Sequence, residues 1–370
     1  RMTIASLLQQ AGYTTGGFGK WHLGATYHTL DGKKPAGQGK FTSKSTGGNL
    51  DLGKPIEDGP AERGFDRWWG FVCASESLVF DQDKAVARID VYEPPAAPGV
   101  EQLETIPIAE YLPRTTEKTL EFIREQARLQ QEARAAGQEE KPFFAYYSAY
   151  VPHIPLAVAE EFKGRTKGGD YGDYVHELDH YIGVILAELD STGLADNTLV
   201  LFASDNGSQF EHGTGEGHRP NGKLRGRKHN IYEGGVRTPF IARWPGQIPA
   251  NTTSEQLASL TDLMATFAAI TGQTLPRDAG EDSFNLLPLM RNPGLDEPIR
   301  DHVINRYHRH AIRIGDWKYI TAGQNVGTEL FNLKEDVGET KNLHDQYPER
   351  AAQMKARLEE LIAAKRSRLD

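Results

Sequence analysis

The sequence predicts an α/β fold, a mostly parallel sheet sandwiched by helices, followed by a small antiparallel sheet with one covering helix. Apolar runs of strand length alternate with stretches of helical periodicity. The runs PFFAYYSAY (142–150), NTLVLFA (197–203) and TPFIARW (238–244) are nearly continuous in apolar character. Strands buried on both faces read this way, as they do in parallel sheets covered by crossover helices. After about residue 296 the pattern changes to short alternating runs, which predicts the antiparallel part. The expected division is a large α/β domain over 1–295 and a small α+β subdomain over 296–370.

The elements follow in order. In RMTIASLLQQAG, Ile4, Leu7, Leu8 and Ala11 share one helical face and Gly12 is the stop. YTTGGFGKW reads as a short strand ending at Lys20. Residues 25–112 are dense in Gly, Pro and charge without sustained periodicity, and predict long surface excursions with short strands. Leu120, Ile123 and Ala127 predict a helix from Thr115 to about Arg134, capped by the hydroxyls of its first residues. PFFAYYSAY delivers VPHIP, so His153 lies just past a strand end. Val175, Leu178, Ile182, Ile185 and Leu189 predict a helix over 174–189, with Gly193 as its cap. NTLVLFA runs directly into SDNG, and a helix after TPFIARW spans Thr261 to Gly272. Beyond 296, VIN, AIRIGDWKYI and ELFNL read as hairpin strands, with Gly315 at the first position of a type II′ turn. A last helix starts near Pro348, with Ala351, Met354, Leu358 and Leu361 as its apolar stripe.

Composition narrows the function. The 370 residues are 38 % hydrophobic and 25 % charged, with a formal net charge of −9. An acidic surface argues against general nucleic-acid binding, so a site for an anion has to be a local island of positive charge. No apolar run has the length of a membrane span. Cys73 is the only cysteine, which excludes an intrachain disulfide framework and a thiolate metal cluster, and we read it as a small core residue.

Ligands of doubly wound sheets collect beyond the carboxyl ends of the strands. Lys20, His153 and Asp205 each fall at such an end, which predicts that they converge. Asp205 and Asn206 place two hard oxygen donors on adjacent residues, a pairing suited to Ca²⁺ or Mg²⁺. Asp-Asn-Gly is also ordinary turn chemistry. From His218 to Arg237 there are six Lys or Arg residues and one acidic residue. Such a run is either a solvated loop or an anion site, and its position between two apolar strands with interspersed glycines favours the site.

Several stretches, taken in order, carry a resemblance. AGYTTGGFGKWHLG resembles the second signature of the sulfatases, and VPHIP, SDNG, LRGRK and YEGGVRTPF are similar to that family's later motifs. RGFDRWWGF, TDLMATFAAITG and RIGDWKYI to ELFNL extend the likeness over essentially the whole chain. The resemblance implies a sulfuric ester hydrolase of alkaline-phosphatase-like fold that uses one divalent cation, usually calcium. It implies metal ligation by Asp205 and Asn206, and catalytic roles for Lys20, His22, His153 and Lys228. The partner implied is a small-molecule or glycan sulfate ester, and the compartments implied are periplasm, lysosome or extracellular space. These residue types suit the work. A lysine about 4 Å from a sulfate oxygen gains roughly 4 kcal/mol at an effective dielectric near 20, before desolvation.

The family's nucleophile is a formylglycine made from the Cys or Ser of a C/S-x-P-x-R motif upstream of GKWHLG. The chain contains no such motif, and Cys73, in CASES, lacks its Pro and Arg. The expectation is that the chain begins past that motif and past a first strand with acidic metal ligands, and that alone it does not turn over sulfate esters. Two other readings stay open at this point: a phosphomonoester, phosphodiester or phosphonate hydrolase of the same superfamily, and a non-catalytic binder of sulfated glycans. The polar excursion over 25–100 and the segment 209–222, with His212, Glu216, His218 and Arg219, are expected to shape the rim of the site and favour a sulfated carbohydrate over a simple aryl ester.

Overall fold

The computed structural model describes residues 1–33, 36–37, 48–72, 78–92, 94–210, 212–215 and 217–368. Cys73 and Glu216 lie outside them. The chain forms two compact units, Met2–Ala195 and Asp196–Asp370, with Arg1 belonging to the second.

The first unit opens with α1 (Ile4–Gln10), whose Ser6 N–H donates to Thr3 Oγ1 at 3.0 Å and whose Leu7 and Leu8 are buried. Then follow β1 (Thr14–Lys20), the two-residue pair β2 (Thr26–Tyr27) and β3 (Ala36–Gly37), β4 (Arg67–Phe71), β5 (Leu78–Asp81), β6 (Lys84–Ile89) and β7 (Glu104–Ile106). After these come α2 (Ile108–Ala135), β8 (Phe143–Ser148) and α3 (Gly169–Ser191). A six-stranded mixed sheet runs in the order β7-β6-β5-β4-β1-β8. β1 lies between β4 and β8 and is parallel to both, and its residues 15–19 are buried.

The stretch expected to be surface excursion supplies four of those six strands. Trp68, Phe71, Val72, Leu78 and Phe80 are at most 1 % exposed and build two aromatic clusters on the sheet. Runs of three to six residues display little period, so glycine and charge around them dominate the reading. α2 begins at Ile108, ahead of the predicted start, because the Ile108 N–H finds the carboxylate of Asp90 at 3.0 Å. Thr115, Thr116 and Thr119 therefore sit inside the helix, each hydroxyl donating to the carbonyl four residues back. On α3 the buried residues are Asp173, Tyr174, Glu177 and the predicted Leu189, while Val175 is exposed. Asp173 accepts from the Gly164 and Thr166 N–H groups, both at 2.7 Å, and Glu177 from Ala159 N–H at 3.0 Å. Those loop amides need partners, and they set polar side chains on the buried side of the helix beside the predicted apolar residues Leu178 and Leu189.

The second unit contains β9 (Val200–Ala203), α4 (Glu233–Val236), β10 (Phe240–Arg243), α5 (Leu263–Ile270) and α6 (Leu287–Arg291). β9 and β10 pair antiparallel with each other, with Phe240 opposite Ala203. The C-terminal sheet is as expected: β11 (His302–Tyr307), β12 (Arg309–Ile314), β13 (Trp317–Ile320) and β14 (Glu329–Asn332) are antiparallel in sequence order. Gly315, at φ 55°, makes the two-residue turn between Ile314 and Trp317. α7 (Pro348–Ala364) covers one face, with Ala351, Met354, Leu358 and Leu361 packed on Ile312, Tyr319 and Leu330. The opposite face is buried too, where Ala311, Ile320 and Phe331 pack with Ile231.

Candidate active site

The predicted site residues fall into two groups by unit. Lys20, His22 and His153 belong to the first. Lys20 ends β1, and its carbonyl accepts the Ser148 hydroxyl at 2.7 Å, which fastens it to the end of β8. That approach depends on Gly19, at φ 113°, since a Cβ there would stand 2.0 Å from the Ser148 carbonyl oxygen. The Lys20 ammonium is 5.9 Å from the centroid of the Tyr150 ring. His153 Nδ1 lies 3.1 Å from the Tyr150 hydroxyl and 2.7 Å from the Ile154 carbonyl oxygen. A carbonyl oxygen only accepts, so the contact places a proton on Nδ1 and makes Nε2 the nitrogen that exchanges its proton. The Tyr150 hydroxyl also meets Tyr92 and the Ile154 carbonyl. Lys20 and His153 are thus brought together around Tyr150, a residue that sequence reasoning treated only as part of a strand. His22 is exposed and holds the left-handed backbone conformation, at φ 61°. Outside glycine this conformation is stored strain of about 1–3 kcal/mol, of the kind that clusters at functional loops.

Asp205, Asn206 and Lys228 belong to the second unit. Asp205 and Asn206 follow β9 after Ser204, and Asn206 Nδ2 donates to the Gly207 carbonyl at 3.0 Å. The Lys228 N–H donates to the Ser208 carbonyl at 2.7 Å, so the basic run folds back onto the residues just after the Asp-Asn pair. Asn221 holds the same two segments from its side chain: its Oδ1 accepts from Ser208 N–H at 2.9 Å, and its Nδ2 donates to Gly226 carbonyl at 3.1 Å. Gly207 N–H donates to Gly235 at 3.1 Å, and a Cβ on Gly207 would stand 1.8 Å from the Gly234 oxygen.

Behind these loops lies a buried ionic network that the sequence did not announce. Lys318 is fully buried, and its Nζ is 2.9 Å from both Glu233 Oε1 and Glu339 Oε1. Arg313 reaches the other oxygen of Glu233 at 3.3 Å, and Glu339 Oε2 accepts the Glu233 N–H at 2.6 Å. Burial raises the pKa of Glu339, and the Lys318 ammonium opposes that rise. Glu233 heads α4, where Gly234 N–H bonds the Arg225 carbonyl at 2.8 Å, so the network braces the segment that carries Lys228. The alternation in RIGDWKYI held one signal for it. Lys318 shares its face with Ile320, and that face is buried.

Among the described residues, no group of three or more His, Cys, Asp or Glu side chains is arranged to hold a metal. Asp205 and Asn206 fit a hard cation in donor type, because the Asn206 amide nitrogen is bonded to the main chain and its oxygen remains as the donor atom. Calcium takes about six to eight oxygens, so the pair fits as part of a coordination shell.

Comparison with known proteins agrees with this architecture. Residues 1–273 match the sulfatase family, and residues 227–366 match the C-terminal part of N-sulphoglucosamine sulphohydrolase. An N-acetylgalactosamine-6-O-sulfatase of Bacteroides thetaiotaomicron is 29 % identical, over 97 % of this chain and 76 % of that protein. The human N-acetylgalactosamine-6-sulfatase is 33 % identical over 80 % of this chain and 50 % of its own length, so the chain spans about half of that relative. A solved sulfatase from Bacteroides thetaiotaomicron, described in work on the metabolism of multiple glycosaminoglycans, superposes with a TM-score of 0.78 at 25 % identity, covering 97 % of this chain and 82 % of the other. The fold is the alkaline-phosphatase-like fold of hydrolases that act on sulfate esters. The chain belongs to the sulfatase family.

Proposed function

We propose that the protein acts on sulfate esters of carbohydrates, with Lys20 and Lys228 binding sulfate oxygens, His153 protonating the departing oxygen and His22 managing a proton of the nucleophile. The observation that carries this reading is the placement of Lys20 and His153 around Tyr150 at the ends of two adjacent parallel strands. Cleavage breaks a sulfur–oxygen bond and leaves negative charge on the sugar oxygen. An imidazole whose Nδ1–H is anchored on a carbonyl offers its Nε2 proton to that oxygen. Two ammonium groups on the sulfate stabilise charge that spreads over its oxygens. Asp205 and Asn206 would hold a calcium ion, with magnesium as the other candidate, and the ion would supply Lewis-acid polarisation of the sulfate. The similarity to two N-acetylgalactosamine-6-sulfatases supports a sulfated amino sugar as the substrate class.

The nucleophile of this reaction is not among the residues of the chain, which has no C/S-x-P-x-R sequence. The chain alone is therefore expected to bind without turnover. Calorimetric titration with N-acetylgalactosamine 6-sulfate, in calcium and in chelator, tests the reading. The sulfated sugar binds and its unsulfated counterpart does not, chelator weakens binding, and Lys20→Ala and Lys228→Ala each weaken it about tenfold or more, as loss of a charge-assisted hydrogen bond does. Equal binding of the two sugars overturns the site. Robust hydrolysis by the purified chain overturns the placement of the nucleophile outside it.

A further inference from the structure

Beside the Lys228 segment lies an open groove of about 450 Å³, within the size range of small-ligand sites, lined in part by His212, Arg219, Asn221, Lys223, Arg225 and Glu339. Among the described residues its charge is one-sided: three permanent cations accompany one carboxylate, and that carboxylate is turned away, since both Glu339 oxygens are engaged in the buried network, one with Lys318 and the other with the Glu233 N–H. Arg225 is a fixed wall. Its guanidinium stacks 3.8 Å from the Tyr232 ring centroid, donates to the Glu339 carbonyl at 2.7 Å and lies 3.8 Å from a Glu329 oxygen. Arg219 and Lys223 are exposed, and among the described residues neither pairs with a carboxylate. In a chain of net charge −9, two such cations on one groove form a local well for an anion.

The groove shares a part with the proposed site. Asn221 lines it and at the same time bonds Ser208 and Gly226, the segments that carry the Asp-Asn pair and Lys228. The groove and Lys228 are thus carried by one stretch of chain, residues 219–228. We propose that the groove holds a second anionic group of the substrate, a carboxylate or sulfate on the sugar adjoining the one that bears the scissile ester. This rests on the sulfatase reading above and adds to it a preference for polyanionic glycans over isolated sulfated sugars. The preference resides in Arg219 and Lys223, with Arg225 as the backing wall.

The test uses four probes on the full chain: N-acetylgalactosamine 6-sulfate alone, and its disaccharides with a neutral hexose, a hexuronate and a sulfated hexose. The two charged disaccharides bind about three- to tenfold more tightly than the neutral one, the range for one or two exposed charge pairs. The arm with the larger gain identifies the anion as carboxylate or sulfate. The gain shrinks as ionic strength rises from about 0.02 to 0.3 M. Arg219→Ala with Lys223→Ala erases the gain, leaves affinity for the monosaccharide unchanged and leaves the melting temperature unchanged. Equal affinity for the neutral and charged disaccharides overturns the proposal, and so does a double variant that weakens all four probes alike. A Lys228→Ala variant separates this outcome from failure of the underlying reading. If it leaves every affinity intact while the double variant still abolishes the charged gain, the groove stands as an anion site and the catalytic assignment falls.

Discussion

Replacing Lys318 by Met removes the cation at the centre of a buried network while nearly preserving side-chain volume. Glu233 and Glu339, 4 % and 0 % exposed at the side chain, are left facing each other without it. Arg313 remains on Glu233 at 3.3 Å, so the uncompensated charge falls chiefly on Glu339. Breaking a buried pair from one side is destabilising by about 3–5 kcal/mol. For a unit of this size that lowers the melting temperature by about 6–20 °C. The loss depends on pH with a definite sign. Burial already raises Glu339 above the ordinary glutamate value, and without Lys318 only the Glu233 N–H still opposes the rise. The folded variant then binds a proton that the unfolded chain has released, so its stability increases as pH falls toward the ordinary carboxyl range and decreases as pH rises through the shifted value. Denaturant unfolding of wild type and Lys318→Met at about pH 5, 6, 7 and 8 measures this, with the defect smallest at pH 5. A second variant, Lys318→Met with Glu339→Gln, recovers most of the defect at pH 8, because it leaves no unpaired charge at position 339. A loss below about 1 kcal/mol at neutral pH, or one that is the same at every pH, refutes the assignment of Lys318 as the compensating charge.

Glu177 is fully buried and its pKa is raised, first by burial and then by Glu161, against the Ala159 amide that it accepts. Stability held in its protonated form is complete below the unfolded pKa and is lost as pH rises through the folded one, so Glu177→Gln flattens the pH dependence of unfolding in that window. Asp173 behaves oppositely. The main-chain amides of Gly164 and Thr166 hold its pKa down despite burial, so its contribution is present above the unfolded pKa and lost in acid. Asp173→Ala therefore lowers stability by about 2 kcal/mol or more at neutral pH and by less in acid, as thermal melts at matched pH values will record. Gly207→Ala forces the main chain away from Gly234, and is expected to lower both the melting temperature and the affinity for the sulfated sugar, with the affinity falling at least as much as in Lys228→Ala.

Much of this architecture could be read from residue order because local pattern and tertiary role coincide. The stripe Ala351, Met354, Leu358, Leu361 is buried as predicted, and the Gly315 turn joins the strands it was expected to join. Short strands were expected inside residues 25–112, but not that four of them belong to the main sheet, because runs of three to six residues give little period by which to place them. The start of α2 escaped because its partner, Asp90, is eighteen residues away and offers no local signature. Lys20, His153, Asp205 and Lys228 were visible as strand-end or motif residues, and the structure joins Lys20 to His153 through Tyr150 in the first unit and the Asp205 segment to the Lys228 segment in the second. Tyr150 and Asn221 were not visible, since each works by joining segments distant in the chain. Lys318 and Glu233 are separated by 85 positions, a distance over which a charge pair leaves no pattern.

At Gly19 and Gly207 the main chain touches main chain, with no room for even one carbon between. The two lysines are consequently placed by close backbone packing as well as by the side chains of Ser148 and Asn221 that fasten their segments. A saturation survey of variants would score these glycines as intolerant as the cations they aim, so a search for the chemistry guided by intolerance alone would stop short of it. Engineering of specificity has its freedom elsewhere, on the groove walls, where side chains stand clear of the backbone and can be exchanged one at a time.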